Sequence, residues 1–348
     1  MGQADAHQAF TSKSFGAGRG PDPGLLLPRP RRDATVAPMN RTLSIAAGIG
    51  YATIFGFSFL VTKDALNVLD PMELVFARFL LAAVLMSLLV AARLVRLDYR
   101  GKKPAALLAT CIFQPILYFV FETYGVRESA TSTAGLILGA LPALVAILGV
   151  LTLGERTTKL QTFGLALSVF GVALVVLAGP ASKGEGEGSL RGALLLVGSM
   201  LSAGFFNVLS RKASRQFSDF ERTFAMMWTG AIGFGVIVLV RRLLGADLGA
   251  IAAGAGSGTA SGSLLARAAS VWYSVAYLGI LSSIVAFFLI NYTLTRLKAS
   301  QSAVFTNLVT VITVVAGVLI RKESFDIVQG LGAVVIIAGV WTANRKSS

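Results

Sequence analysis

The sequence predicts an all-α integral membrane protein of ten transmembrane helices in two inverted five-helix repeats, and three observations carry that prediction. The first is composition. Hydrophobic residues make up 55% of the chain and charged residues 14%, with a mean hydropathy of +0.73, far from the balance of a soluble domain. The second is a series of apolar runs, each near the roughly 20 residues a helix needs to cross about 30 Å of hydrocarbon. The third is duplication. Residues 124–172 recur without a gap at 292–340, an offset of 168 that carries Tyr124 to Tyr292, Glu155 to Glu323 and Gln161 to Gln329, and Gly164 and Gly171 to Gly332 and Gly339. An earlier match at an offset of 148 carries Gly56-Phe57 onto Gly204-Phe205, Glu73 onto Glu221 and Phe76-Ala77 onto Phe224-Ala225. The offsets differ by 20 residues, and the Gly, Ala and Ser-rich stretch at about 245–262 is the candidate insert.

In chain order, residues 1–38 are rich in Gly, Pro, Arg and Asp, with no apolar stretch that suits a signal peptide, and are expected to be disordered. Met39-Asn40-Arg41 leads directly into the first apolar run and reads as an alternative start; a regulatory tail is the competing reading. The runs span Leu43–Thr62, Met72–Ala92, Pro104–Gly125, Thr131–Leu153 and Leu160–Ala178 in a first repeat, residues 39–179. Gly192–Ser210, Thr223–Val240, Val271–Leu294, Ala299–Ile320 and Ile327–Ala343 follow in a second, residues 190–343. Barrel strands would be about 10 residues long with alternating polarity, which these runs are not. Two helix starts carry capping signatures: Asp70-Pro71-Met72-Glu73 and Ser218-Asp219-Phe220-Glu221. Glu73 and Glu221 are therefore assigned to capping rather than to solute.

With the N-terminus inside and ten crossings, 21 Lys and Arg fall on the inner side and nine on the outer, while Arg78 lies within a run. Both termini are therefore expected on the cytoplasmic side of the inner membrane. Five helices per repeat is an odd number, so the second repeat enters from the opposite side. Inverted repeats around a site near the midplane are the plan of secondary transporters.

Several stretches resemble the EamA family of the drug/metabolite transporter superfamily: Ala134-Gly135-Leu136-Ile137, Leu141-Pro142-Ala143-Leu144, Leu153-Gly154-Glu155-Arg156, Gly164 and Gly171, Ala77-Arg78-Phe79-Leu80, and Tyr277-Leu278-Gly279 with Ala286 and Asn291-Tyr292. The resemblance covers residues 43–343. It implies two five-helix inverted repeats and export of small metabolites, amino acids among them, across the inner membrane. The second copy departs from the first: Thr310 stands at the place of Pro142, and Arg321-Lys322-Glu323 at that of Leu153-Gly154-Glu155.

Gly164 and Gly171, like Gly332 and Gly339, share one helical face and permit close backbone approach. Glu155 and Glu323 lie at helix ends, where bonds to nearby backbone N–H groups account for them. Lipid cannot satisfy polar side chains, so those inside the runs should face the bundle interior. The substrate-binding candidates are Tyr51, Ser58, Arg78, Gln114, Tyr118, Glu122, Asn207, Tyr277, Asn291 and Asn307, with interhelical bonding as the competing reading of many. Arg78 has no counterpart, since the 148 offset puts Met226 in its place. Snorkelling or pairing with Glu122 competes with a role in gating or anion recognition.

Other function classes fit poorly. The formal charge of +14 is not arranged in basic runs interleaved with aromatics, so nucleic-acid binding is not expected. Cys111 is the one cysteine and His7 the one histidine, which leaves no disulfide framework, no Cys/His metal site and no cofactor attachment. The runs offer no nucleophile with a base, and no G-x-x-x-x-G-K-S/T loop for ATP is present. The reading is a secondary exporter of a small metabolite, with the bilayer as its solvent and protons as a candidate coupling ion. A scaffold or channel is the alternative.

Overall fold

A computed structural model describes residues 41–153, 158–178, 189–244, 271–297, 299–323 and 325–343. The N-terminal tail, Glu155 and the 245–262 insert lie outside the described residues. Among the described residues the secondary structure is helical throughout, with no strand. The helices are α1 (Arg41–Ala65), α2 (Pro71–Ala91), α3 (Ala105–Glu128), α4 (Thr131–Gly139 continued by Leu141–Leu153), α5 (Lys159–Ala178), α6 (Leu190–Ala213), α7 (Asp219–Leu243), α8 (Val271–Arg296), α9 (Ala299–Ile320) and α10 (Ile327–Ala343). Eight, α1 to α8, are long and apolar enough to cross a bilayer, while the apolar stretches of α9 and α10, Phe305–Ile320 and Ile327–Ala343, are shorter. Their outward faces carry side chains such as Leu88, Leu319 and Trp341, all well exposed, as contact with lipid requires.

The capping signatures divide. Asp70 Oδ1 accepts the Met72 N–H at 2.9 Å ahead of Pro71, and Ser218 with Glu221 closes a full capping box, Ser218 N–H to Glu221 Oε2 at 2.8 Å. Glu73 closes no such box. Its carboxylate instead pairs with Arg242 at the far end of α7, 2.8 Å away, because α2 and α7 run antiparallel and bring those ends together. Sequence spacing alone does not reveal this cross-helix partner.

Glycine fixes the closest packing in the bundle. A Cβ on Gly164 of α5 would run into the Ala343 backbone nitrogen, and one on Gly339 of α10 would stand 2.5 Å from that of Ser168. Gly171 and Gly332 lie along the same seam. The two backbones touch because no side chain separates them.

Polar ties gather at the two ends of the bundle. At the end where α1 finishes, Lys63 Nζ donates to the carbonyls of Val126, Arg127 and Ser129 at 2.8–3.0 Å, Arg241 pairs with Asp70 at 2.8 Å and Arg321 pairs with Asp64. At the opposite end, Lys102 pairs with Glu221 at 2.8 Å. Beside it, buried Arg222 bonds to Asn291 Oδ1 at 3.0 Å and Thr295 Oγ1 at 2.9 Å, and also to Ser210 and Asp219, which joins α6, α7 and α8.

Glu323 caps the start of α4 from the connection before α10. Its two oxygens accept the N–H groups of Thr131 and Ser132, each at 2.8 Å. Burial pushes its carboxyl up, but hydrogen bonds from Thr131 and Ser132 outweigh burial and hold it below the usual carboxylate range. A depressed folded pKa means that this stabilisation is complete above the unfolded value of about 4.3 and is lost as pH falls through the folded value. Glu323→Gln is therefore expected to destabilise the protein at pH 7 by about 1.5–3 kcal/mol, the worth of a hydrogen bond to a charged group. Thermal unfolding in detergent should show that gap closing as the medium is acidified below the carboxylate range. A gap that is constant with pH would remove the charged cap from the account.

Candidate functional site

In the middle of the bundle lies a cavity with about 80 Å³ open to the centre of a water molecule, several times the roughly 10–15 Å³ that one water needs. Seven helices reach it. Tyr51, Phe55, Ser58 and Phe59 come from α1, Arg78 from α2, and Gln114, Tyr118, Phe119 and Glu122 from α3. Leu138 and Leu141 come from α4, Ala203, Phe206 and Asn207 from α6, Ser282, Phe287 and Ile290 from α8, and Thr306, Val309 and Thr310 from α9.

Two lining helices leave α-helical geometry beside the cavity. α3 is kinked at Gln114, whose backbone is extended (φ −146°, ψ 116°) ahead of Pro115, and α8 passes through a π-helical stretch at Tyr277–Ala286. Proline kinks break the backbone ladder, and π-helical turns are frequent at functional sites. An offset of 168 carries residues 112–117 onto 280–285, inside the π-helical stretch, and carries Gln114 onto Ser282, so matched positions of the two halves meet at one cavity. The wide turn in α8 also brings two consecutive hydroxyls to one partner. Ser283 Oγ accepts from Arg78 Nε at 3.1 Å and Ser282 Oγ accepts from Arg78 Nη2 at 2.9 Å. The guanidinium lies over the Phe119 ring, 4.6 Å from its centroid.

Glu122 is as buried as Arg78, at 3% and 2% exposure. Its Oε2 accepts the Thr123 hydroxyl at 3.1 Å. No ion pair joins Arg78 to Glu122, although both border the same space. Several other polar groups at the cavity are satisfied by their own helix: Ser58 donates to the Phe55 carbonyl at 2.8 Å and Asn207 to that of Ala203 at 2.8 Å. Tyr51 packs edge-on against Phe55 and Phe305.

Tyr51, Ser58, Arg78, Gln114, Tyr118, Glu122 and Asn207 thus line one cavity, and Tyr277, Asn291 and Asn307 do not. Tyr277 ties α8 to α1 through the Ile54 carbonyl at 3.0 Å. Asn291 belongs to the Arg222 cluster and also donates to Thr223 Oγ1 at 3.1 Å. Asn307 is half-buried on α9, while its neighbours Thr306 and Thr310 face the cavity. Ser282 was not among the candidates; the signal for it was its place as the image of Gln114 in the second half.

The profile of the EamA-like transporter family matches residues 42–177 and, again, residues 190–345. The chain belongs to that family. Each match takes in five of the helices described above, α1–α5 and α6–α10. Among EamA-like relatives, the chain is 33% identical over 305 residues to "Uncharacterized transporter YcxC" of Bacillus subtilis (strain 168), covering 87% of this chain and 93% of that protein. It is 26% identical over 293 residues to the "Probable amino-acid metabolite efflux pump" of Escherichia coli (strain K12), covering 83% and 90%. A solved crystal structure aligns with a TM-score of 0.58 at 17% identity over 87% of this chain and 97% of its own, a likeness of fold. This EamA-like chain is a multi-pass membrane protein of a transporter family.

Proposed function

We propose that the protein is a secondary transporter of the inner membrane that exports a small metabolite, such as an amino acid or a related compound, by alternating access. The observation that carries this reading is the cavity at mid-bundle, to which seven helices from both family matches contribute and where two buried opposite charges, Arg78 and Glu122, border the same space without forming an ion pair. Ten helices in two inverted repeats, with both termini cytoplasmic, supply its frame. Rocking of the repeats about a fixed site then exposes the cavity to each side in turn. The ties at the two bundle ends, Lys63 with Arg241 at one and the Arg222 cluster at the other, are the contacts that such a motion exchanges. The name of the Escherichia coli relative supports amino-acid metabolites as cargo. A proton gradient is the proposed drive, since the described helices surround one buried carboxylate in the cavity, Glu122.

Solute counterflow in proteoliposomes tests the reading. A preloaded metabolite panel is expected to accelerate uptake of the matching labelled solute, with saturation, and an imposed proton gradient should change the rate. Flux that rises linearly with concentration and shows no acceleration by internal solute would support a channel instead. No flux for any member would support a scaffold.

A further inference from the structure

We propose that the cavity recognises its solute as a dipolar ion, with Arg78 receiving the anionic group and Glu122 the cationic one. The inference rests on the cavity being the transport site.

The two side chains are buried, oppositely charged and incompletely partnered. Arg78 spends two of its five N–H groups on Ser282 and Ser283. Glu122 Oε2 takes the Thr123 hydroxyl, and its other oxygen accepts no hydrogen bond among the described residues. No Arg78 nitrogen lies within 4 Å of a Glu122 oxygen, though the two are near enough for their charges to interact. Buried charges without close partners are costly in an apolar medium, and each gains most from an opposite charge brought into contact. A simple anion would compensate Arg78 and leave Glu122 as it was; a simple cation would do the reverse. A solute that carries both charges a few bonds apart compensates both.

Helix geometry puts the two groups at one level. Arg78 lies about 10 Å from the start of α2, and Glu122 about 9 Å from the end of α3, at the same end of the bundle, from a rise of 1.5 Å per residue. The planar guanidinium, held by two hydroxyls on one edge and by Phe119 on one face, is oriented for a carboxylate-like fork. Phe55, Phe206 and Phe287 line the remaining wall and suit an apolar substituent. The charges also break the internal repeat: the offsets of 148 and 168 place Met226 and Ile290 at the matching positions. One charged pair in a duplicated frame gives the solute a single orientation whichever side is open.

Binding to the full chain in detergent tests the proposal with two matched series of probes. The first is leucine, 4-methylpentanoate and 3-methylbutylamine; the second is phenylalanine, 3-phenylpropionate and phenethylamine. In at least one series the amino acid is expected to bind about 30-fold or more tightly than either single-charge analogue, the scale on which losing one partner of a buried charge weakens binding. Glu122→Gln should erase the advantage over the acid and keep that over the amine, and Arg78→Gln should do the opposite. The comparison on the unmodified chain needs no variant to fold. An acid or amine that binds as tightly as its amino acid in both series overturns the proposal, as does binding of none of the six. So does Glu122→Gln that keeps the full preference for the amino acid over the acid, whatever its response to a proton gradient, since Glu122 would then hold no solute group. Saturable counterflow of other metabolites alongside any of these results would leave the transport reading intact. Its absence for every solute would sink that reading separately.

Discussion

Arg78→Met is expected to reach the membrane folded and to lose solute flux by about 100-fold or more, within the range for removing one partner of a buried charged contact. The fold should survive because the substitution removes a charge whose insertion at mid-helix costs roughly 2.5–3.5 kcal/mol, and Met fills a similar volume. The loss of two hydrogen bonds to Ser282 and Ser283 works against that gain, but serine hydroxyls in a helix can turn to their own backbone carbonyls. Flux in proteoliposomes and size-exclusion behaviour of the same sample separate the two effects. Exchanging the charges, Arg78→Glu with Glu122→Arg, should recover folding better than activity, since neither new side chain inherits the hydroxyl pair or Phe119 in the right place. A fully active Arg78→Met protein would reduce this charge to a packing detail.

Gly339→Leu is expected to abolish recovery of folded protein. The seam between α5 and α10 has no room even for a methyl group, because the atoms that a Cβ on Gly339 would meet, at 2.5–2.8 Å, are backbone atoms of Ser168 and Gly164. Backbone cannot rotate aside, so the helices must separate. Gly339→Ala should already cost about 1–3 kcal/mol by overpacking. Gly330 supplies the control on the same helix, since a Cβ there meets only the Phe325 ring at 3.5 Å. Gly330→Ala should be neutral or stabilising by up to about 1 kcal/mol through helix propensity. Thermal unfolding in detergent measures both. Equal effects at the two positions would mean that close approach is not what those glycines provide.

Much of this was legible in the sequence because the governing forces are one-dimensional. Length and hydropathy mark the helices, and an in-register repeat of glycines marks the seam at Gly164, Gly171, Gly332 and Gly339. Polar residues within apolar runs pointed to the cavity, but could not say which face of a helix each would occupy. Where a helix is apolar all round, its rotation leaves no periodic trace. Tyr277 and Asn291 therefore looked like Tyr51 and Asn207, yet they hold helices together instead of lining the space. Arg222 is one of the 21 basic residues assigned to the inner side and nothing in the sequence marks it out; buried between α6, α7 and α8, it organises a cluster that only tertiary contacts assemble. The π-helical stretch of α8 was equally hidden, because one extra residue per turn leaves hydropathy unchanged, whereas the kink in α3 is marked by Pro115.

The claim of alternating access at this cavity is tested most directly by a thiol placed in its wall. With Cys111→Ala removing the native cysteine, Ser58→Cys would be exposed to a membrane-impermeant thiol reagent in right-side-out and in inverted vesicles. Reaction from both sides, slowed on each by an excess of a transported solute, is the predicted result. Reaction from one side alone, unchanged by any solute that the protein moves, would contradict it.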